Sequence, residues 1–159
     1  MLNPRILAVP ALIIAMTATT TVSAQESLAE QHRRCAQELD QVSDALGYAF
    51  ASRDLDTFMA AFLDDAVQVN TLGQVFAGKA QVESFYRAVM ASDYRFSFVP
   101  VSKKVNQCST AVVVDHVEFS IPSAGITLQA IDVATWVRVE GRWRLQADTT
   151  TRIATPAGT

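Results

Sequence analysis

The sequence predicts an α+β domain in which three helices pack on a curved, mainly antiparallel sheet formed by the second half of the chain. Three observations carry this. Apolar residues recur at helical spacing from Leu28 to Ala49, whereas everything after Ser92 reads as alternating or β-branched runs. Near the end, residues 127–138 and 142–152 form two long strand-like segments separated by a glycine turn. Helical signals followed by strand signals, segregated along the chain, define an α+β layout.

The first helix opens with Ser27 and Glu30, spaced so that each side chain can satisfy the other's free backbone amide. Leu28, His32, Cys35, Leu39, Val42, Leu46 and Ala49 then follow at spacings of four and three, one buried stripe flanked by polar residues. Gly47 weakens this helix by about 1 kcal/mol relative to alanine, so it predicts close packing there. Asp54 can cap a second helix that turns Leu55, Phe58, Met59 and Phe62 inward and stops at Asp64-Asp65. Residues 66–70 alternate as a strand, Thr71-Leu72-Gly73 turns the chain, and residues 74–76 return. Gly78 opens a third helix that buries Val82, Phe85, Tyr86, Val89 and Met90.

Among the strands, residues 94–98 alternate cleanly, and Pro100 predicts an edge position or a bulge. Residues 111–120 form a β-branched run. Val139-Glu140-Gly141 reads as a three-residue hairpin loop, which sets Val137 opposite Trp143, Thr135 opposite Leu145 and Val133 opposite Ala147. That register puts Ile131, Val133, Val137, Trp143 and Leu145 on one face, and Asp132, Trp136, Arg138, Arg144, Gln146 and Asp148 on the other. Trp136 is thereby predicted to be exposed, as the centre of a dimer surface.

Residues 1–24 read as a signal peptide: Arg5 supplies the positive start, residues 6–16 the apolar run, and Val22-Ser23-Ala24 the small cleavage site. Eleven apolar residues are too few for a lasting membrane span, so no stable membrane anchor is expected. Residues 25–159 then form a single exported domain, periplasmic or secreted. Its net charge, −3 for the whole chain and −4 once Arg5 is removed, offers no electrostatic footprint for nucleic acid. The two cysteines, Cys35 and Cys108, are either a disulfide or two buried thiols; the bridge is the expectation in an oxidising compartment.

Several short marks occur in a set order. They are Arg53-Asp54-Leu55-Asp56 with Phe58, Asp64-Asp65-Ala66-Val67, Asn70-Thr71-Leu72-Gly73, Ala77-Gly78-Lys79-Ala80, and the terminal run from Glu140 to Leu145. Together they resemble the SnoaL-like branch of the nuclear transport factor 2-like superfamily, especially its exported SgcJ/EcaC-type members. The resemblance covers residues 27–153 and implies a cone-shaped, cystatin-like fold with an internal small-molecule pocket. The superfamily includes ketosteroid isomerases, cyclases and dehydratases. Carried over by position, the isomerases' catalytic aspartate falls on Asn70, which cannot act as a carboxylate base. Their helix-one tyrosine falls near Leu46, with Tyr48 two residues away on another face.

The remaining candidates come from the residues themselves. His116 follows Asp115 on a strand, so the two point to opposite faces, and whichever faces the interior is a candidate acid or base. Asn70, Tyr86, Gln129, Thr135, Trp143 and Thr149 are polar or amphipathic residues on faces that read as buried, which makes them pocket candidates. No histidine or cysteine spacing matches a metal site and no glycine-rich phosphate loop occurs, so no cofactor is expected. The expected function is binding of a small hydrophobic or aromatic molecule, with general acid–base turnover of isomerase, cyclase or dehydratase type as its extension. The alternative is a non-catalytic dimerisation or protein-interaction module that uses the exposed sheet face. A homodimer is expected under either reading.

Overall fold

A computed structural model describes residues 27–153; the signal-peptide reading of residues 1–24 lies outside them. The elements run α1 (Leu28–Ala51), α2 (Leu55–Ala60), β1 (Phe62–Val69), β2 (Val75–Ala77), α3 (Lys79–Met90), β3 (Arg95–Asn106), β4 (Thr110–Ile121), β5 (Ile126–Val139) and β6 (Arg142–Arg152). Two long helices and one of six residues therefore replace the expected three N-terminal helices, and α3 follows the β1–β2 hairpin. Asp64-Asp65 does not stop a helix. Both aspartates lie exposed within β1, beside the register shift between Phe62 and Val67.

Helix α1 begins as its sequence dictates. The Ser27 backbone N–H donates to Glu30 Oε2 at 2.9 Å, and the Glu30 N–H donates to Ser27 Oγ at 3.2 Å. Its stripe buries Cys35, Leu39, Ala49 and Phe50, with Val42 and Leu46 packed alongside; Leu28, 81% exposed, and His32, also exposed, fall outside it because the first turns of the helix run past the core. A Cβ on Gly47 would sit 3.0 Å from Phe98 Cε1, so the glycine lets the helix approach that ring. The Asp54 carboxylate caps α2 by accepting from the Thr57 N–H at 3.0 Å.

The six strands form one sheet in the order β2-β1-β6-β5-β4-β3. Every pairing is antiparallel except β1 with β6, which run parallel, so the sheet is mixed. Pro100 sits as its missing donor requires, on edge strand β3 where the register shifts between Pro100 and Ser102. Cys35 and Cys108 form a disulfide with a Cα–Cα distance of 5.6 Å, tying α1 to the β3–β4 turn.

The last hairpin departs from expectation. Val139 pairs with Arg142, leaving a two-residue turn of Glu140 (φ 50°) and Gly141 (φ 76°). Arg138 then faces Trp143, Trp136 faces Leu145 and, after a register shift, Thr135 faces Ala147. The extra residue on β6 is a bulge that reverses side-chain parity along the strand. Before it the helix-facing positions are Trp143 and Leu145; after it they are Asp148 and Thr150, opposite Ala134 and Asp132. A two-residue turn therefore does not mix the faces, because the bulge re-sorts them. It also overturns the exposed Trp136. That side chain is 1% exposed and belongs to the core, so it presents no dimer surface.

Candidate functional site

Between the helices and the inner face of the sheet lies a cavity of about 450 Å³, within the range that small-molecule sites occupy. Its wall is aromatic: Phe50 and Phe58 from α1 and α2, Phe85 from α3, and Phe96, Phe98 and Phe119 from β3 and β4. These rings form a connected cluster; Phe50 meets Phe96 edge-on at 4.9 Å, and Phe58 meets Tyr86 at 4.6 Å. The polar part of the lining gathers where β1, β6, β5 and α3 converge, with Gln68, Tyr86, Asp132, Asp148 and Thr150.

Strand pairing places these groups side by side. Gln68 faces Asp148 across the parallel β1–β6 pair, and Asp132 faces Thr150 across β5–β6. Tyr86 Oη lies 2.8 Å from Gln68 Oε1 and 2.9 Å from Asp148 Oδ2. The Gln68 amide Nε2 donates to the Val69 carbonyl at 3.1 Å, which orients Oε1 toward the tyrosine. Thr150 Oγ1 donates to Asp132 Oδ1 at 2.7 Å, and Asp132 and Asp148 lie within hydrogen-bonding reach of each other. Asp148 Oδ1 receives no hydrogen bond from a protein donor.

Counting hydrogens shows what this cluster requires. Tyr86 has one phenolic hydrogen for two acceptors, and the paired carboxylates supply none if both are ionised. A retained proton removes the deficit, and the electrostatics put it on Asp148. Burial, and then the charge of Asp132, push the Asp148 carboxyl well above the usual range. Asp132 is also raised by burial, but hydrogen bonds from Asp148 and Thr150 offset part of that. Burial raises Tyr86 well above its ordinary value as well, followed by the charges of Asp148 and Asp132, so its phenol stays neutral. Asp115, on the same cavity wall, is raised by burial and then by Asp132. Two carboxyls driven unequally, one holding the proton and one better able to lose it, form an acid–base pair.

Of the residues expected from sequence, Asn70 and Tyr86 line the cavity. The Asn70 side chain is mostly taken up by its turn: Oδ1 accepts from the Leu72 and Gln74 N–H groups, each at 3.0 Å. Gln129, Thr135 and Thr149 lie on the outer face of the sheet instead, because they pair with Glu118, Ala147 and Val133 in the opposite phase to the lining residues. Trp143 is buried but outside the cavity wall; its indole Nε1 donates to the Cys35 carbonyl at 3.2 Å. Asp115 and His116 diverge as strand geometry demands. Asp115 lines the cavity, while His116 sits between Val99 and Ile131 on the outer face. Gln68, Asp132 and Asp148 were missed. Their signal was an isolated polar residue in an apolar strand and two aspartates that share a face once the bulge is allowed. Among the described residues, no group of acidic, histidine or cysteine side chains is arranged to hold a metal ion.

The fold and the cavity define a cone-shaped α+β domain of the nuclear transport factor 2-like, cystatin-like type. Residues 43–146 match the SnoaL-like domain, and the chain belongs to that family. An uncharacterized protein with a cystatin-like fold from Caulobacter vibrioides superposes with a TM-score of 0.67 at 17% identity, covering 78% of this chain and 93% of its own. A candidate dehydratase of the NTF2-like family from Streptomyces avermitilis gives 0.67 at 15% identity, covering 77% and 99%. A ketosteroid isomerase-like protein from Erwinia carotovora atroseptica gives 0.62 at 17%, covering 73% and 94%. At these identities the likeness establishes the fold. No curated protein matches the chain.

Proposed function

We propose that this protein binds a small, largely apolar or aromatic molecule in the cone and acts on it by general acid–base chemistry. Asp148 is the proton donor and Asp132 the acceptor. The observation that carries this is the Asp132–Asp148–Tyr86 cluster, with Asp148 and Tyr86 buried and Asp132 half-buried, set in the wall of an aromatic cavity of about 450 Å³. The aromatic wall excludes water and holds the substrate body; Tyr86 and Gln68 hold Asp148 in place. The fold shared with a candidate dehydratase and a ketosteroid isomerase-like protein supports the same class of chemistry. Asp132 takes over the acid–base part that Asn70 cannot play. Export to an oxidising compartment, periplasmic or secreted, is part of the proposal and is supported by the Cys35–Cys108 disulfide.

Native mass spectrometry of the protein from an exporting host is expected to show an adduct of small-molecule size. With the identified ligand as substrate, Asp132→Asn and Asp148→Asn should each slow turnover about 100-fold or more while ligand still binds. Turnover unchanged in both variants would reduce the site to a carrier pocket.

A second reading, self-association through the outer sheet face, is favoured by the exposure of Val99 (63%), Val112 (41%) and Val139 (43%). Val112→Lys is then expected to shift sedimentation toward the monomer. Identical sedimentation of variant and parent would remove that reading.

A further inference from the structure

The acid–base reading uses Asp148 and Asp132 and leaves a further carboxyl of the cavity wall, Asp115, without a task. Strand pairing sets Asp115 directly opposite Asp132 on the inner face, and Asp132 opposite Thr150, a row across β4, β5 and β6. Directly opposed like charges destabilise a sheet. The protein supplies nothing to offset them. Asp132 accepts from Thr150, but the half-buried Asp115 carboxylate receives no hydrogen bond from a described residue. Behind the row, Asp148 is 8% exposed and no protein donor reaches its Oδ1. The ion pairs among the described residues, Arg34–Glu38, Arg87–Glu83, Lys103–Asp40 and Arg138–Glu38, include none of these aspartates. Arg152, the cation of the lining, lies exposed at the end of β6 opposite Ala130, two strands away from Asp115. An aromatic ring stands on the other side. Phe98 pairs with Val117, the next inner position from Asp115, so ring and carboxylate are diagonal neighbours across β3–β4. Both also border a second cavity of about 250 Å³ between α1 and β3, whose lining adds Asp44 and the Asp40–Lys103 pair.

We infer that the ligand of this site is an apolar or aromatic molecule bearing one ammonium group, which Asp115 anchors beside the ring of Phe98. This rests on the reading of the cavity as a small-molecule site and specifies its substrate class. It gives Asp115 the binding role and leaves Asp132 and Asp148 free for proton transfer. With the Asp148 proton retained, Asp115 and Asp132 carry the negative charge. Directly opposed residues have Cβ atoms about 4.5–5.5 Å apart, so one ammonium can touch both carboxylates. The ring adds the attraction of its negative face. Other head groups do less. A hydroxyl or an amide N–H satisfies a lone pair of Asp115 but leaves the opposed charges as they were. A ketone brings only acceptors to an acceptor. A carboxylate adds a further like charge beside Asp115 and Asp132. Burial, and then the charge of Asp132, raise the Asp115 carboxyl; a cation bound there works against that shift.

The test is a head-group series on one aromatic body: 2-naphthylmethylamine, 2-naphthylmethanol, 2-acetonaphthone, 2-naphthoate and 2-methylnaphthalene. Each is titrated calorimetrically into the purified protein at neutral pH, where the amine is protonated. The amine is expected to bind about tenfold tighter than the alcohol and ahead of the other three. Asp115→Asn, which keeps the shape and removes the charge, should cut the amine's advantage over the alcohol about fivefold or more. The ranking on the unaltered protein decides the matter if that variant does not fold. Another probe ranking first, an amine advantage below about threefold, or an unchanged advantage in folded Asp115→Asn overturns the ammonium inference and leaves the cavity reading intact. Binding by none of the five overturns both.

Discussion

Asp148 stands between Tyr86, Gln68 and Asp132 with nothing cationic among its hydrogen-bond partners, and that has a consequence for stability. Its folded-state pKa is raised, so between the unfolded value of about 3.9 and the folded one the native state binds more protons than the unfolded chain. Stability is then highest below that window and falls as pH rises through it. Asp132 and Asp115, also raised, act in the same direction. Asp148→Asn carries no proton to lose. Its stability relative to the parent should therefore improve as pH climbs from about 4 toward neutral, at up to about 1.36 kcal/mol per pH unit. Urea unfolding of both proteins over that range checks this, and parallel stability curves would contradict it.

At the scale of elements, the β5–β6 hairpin decides which side chains reach the cavity. Its turn needs two left-handed residues, and around Gly141 (φ 76°) there is open space, so an added methyl group acts only through the backbone. Gly141→Ala is expected to cost about 1–2 kcal/mol in thermal or urea unfolding; a variant as stable as the parent would show that the turn relaxes freely. The same hairpin marks how far the sequence could be read. The capping box, the α1 stripe from Cys35 onward, the close approach at Gly47 and the irregularity at Pro100 were legible, because each is encoded within a few residues. The site was not. Asp132 and Asp148 shared a face with Trp136, Arg138, Arg144 and Gln146 in the three-residue-loop register and so fell on the expected dimer surface. One bulge residue before Asp148 turned that carboxylate inward beside Ala134. Trp136 moved from an imagined dimer surface into the core for a related reason: burial there is imposed by a core assembled from elements distant in sequence, not by its neighbours in the chain.

For the whole molecule, the Cys35–Cys108 disulfide closes a loop of 73 residues that contains α2, β1, β2, α3 and β3. In the chain-entropy model such a loop stabilises by about 4 kcal/mol. Cys35→Ser/Cys108→Ser is expected to lose up to that amount in equilibrium unfolding, and loss of less than about 1 kcal/mol would mean that α1 docks without the tether. The sheet order carries a further consequence. Strand β6, which ends at Arg152, is not an edge; it lies between β1 and β5 and, among the described residues, is the only strand joining the β1–β2 unit to the rest of the sheet. Until it is in place, the aromatic residues of α2 and α3 have no finished wall to close against, and Asp148 has not yet met Tyr86 or Gln68. Synthesis from the N-terminus thus leaves the growing chain without its central seam until β6 has emerged. Folding waits on a closure spanning about 80 residues, a slow step of the kind that non-local pairing imposes.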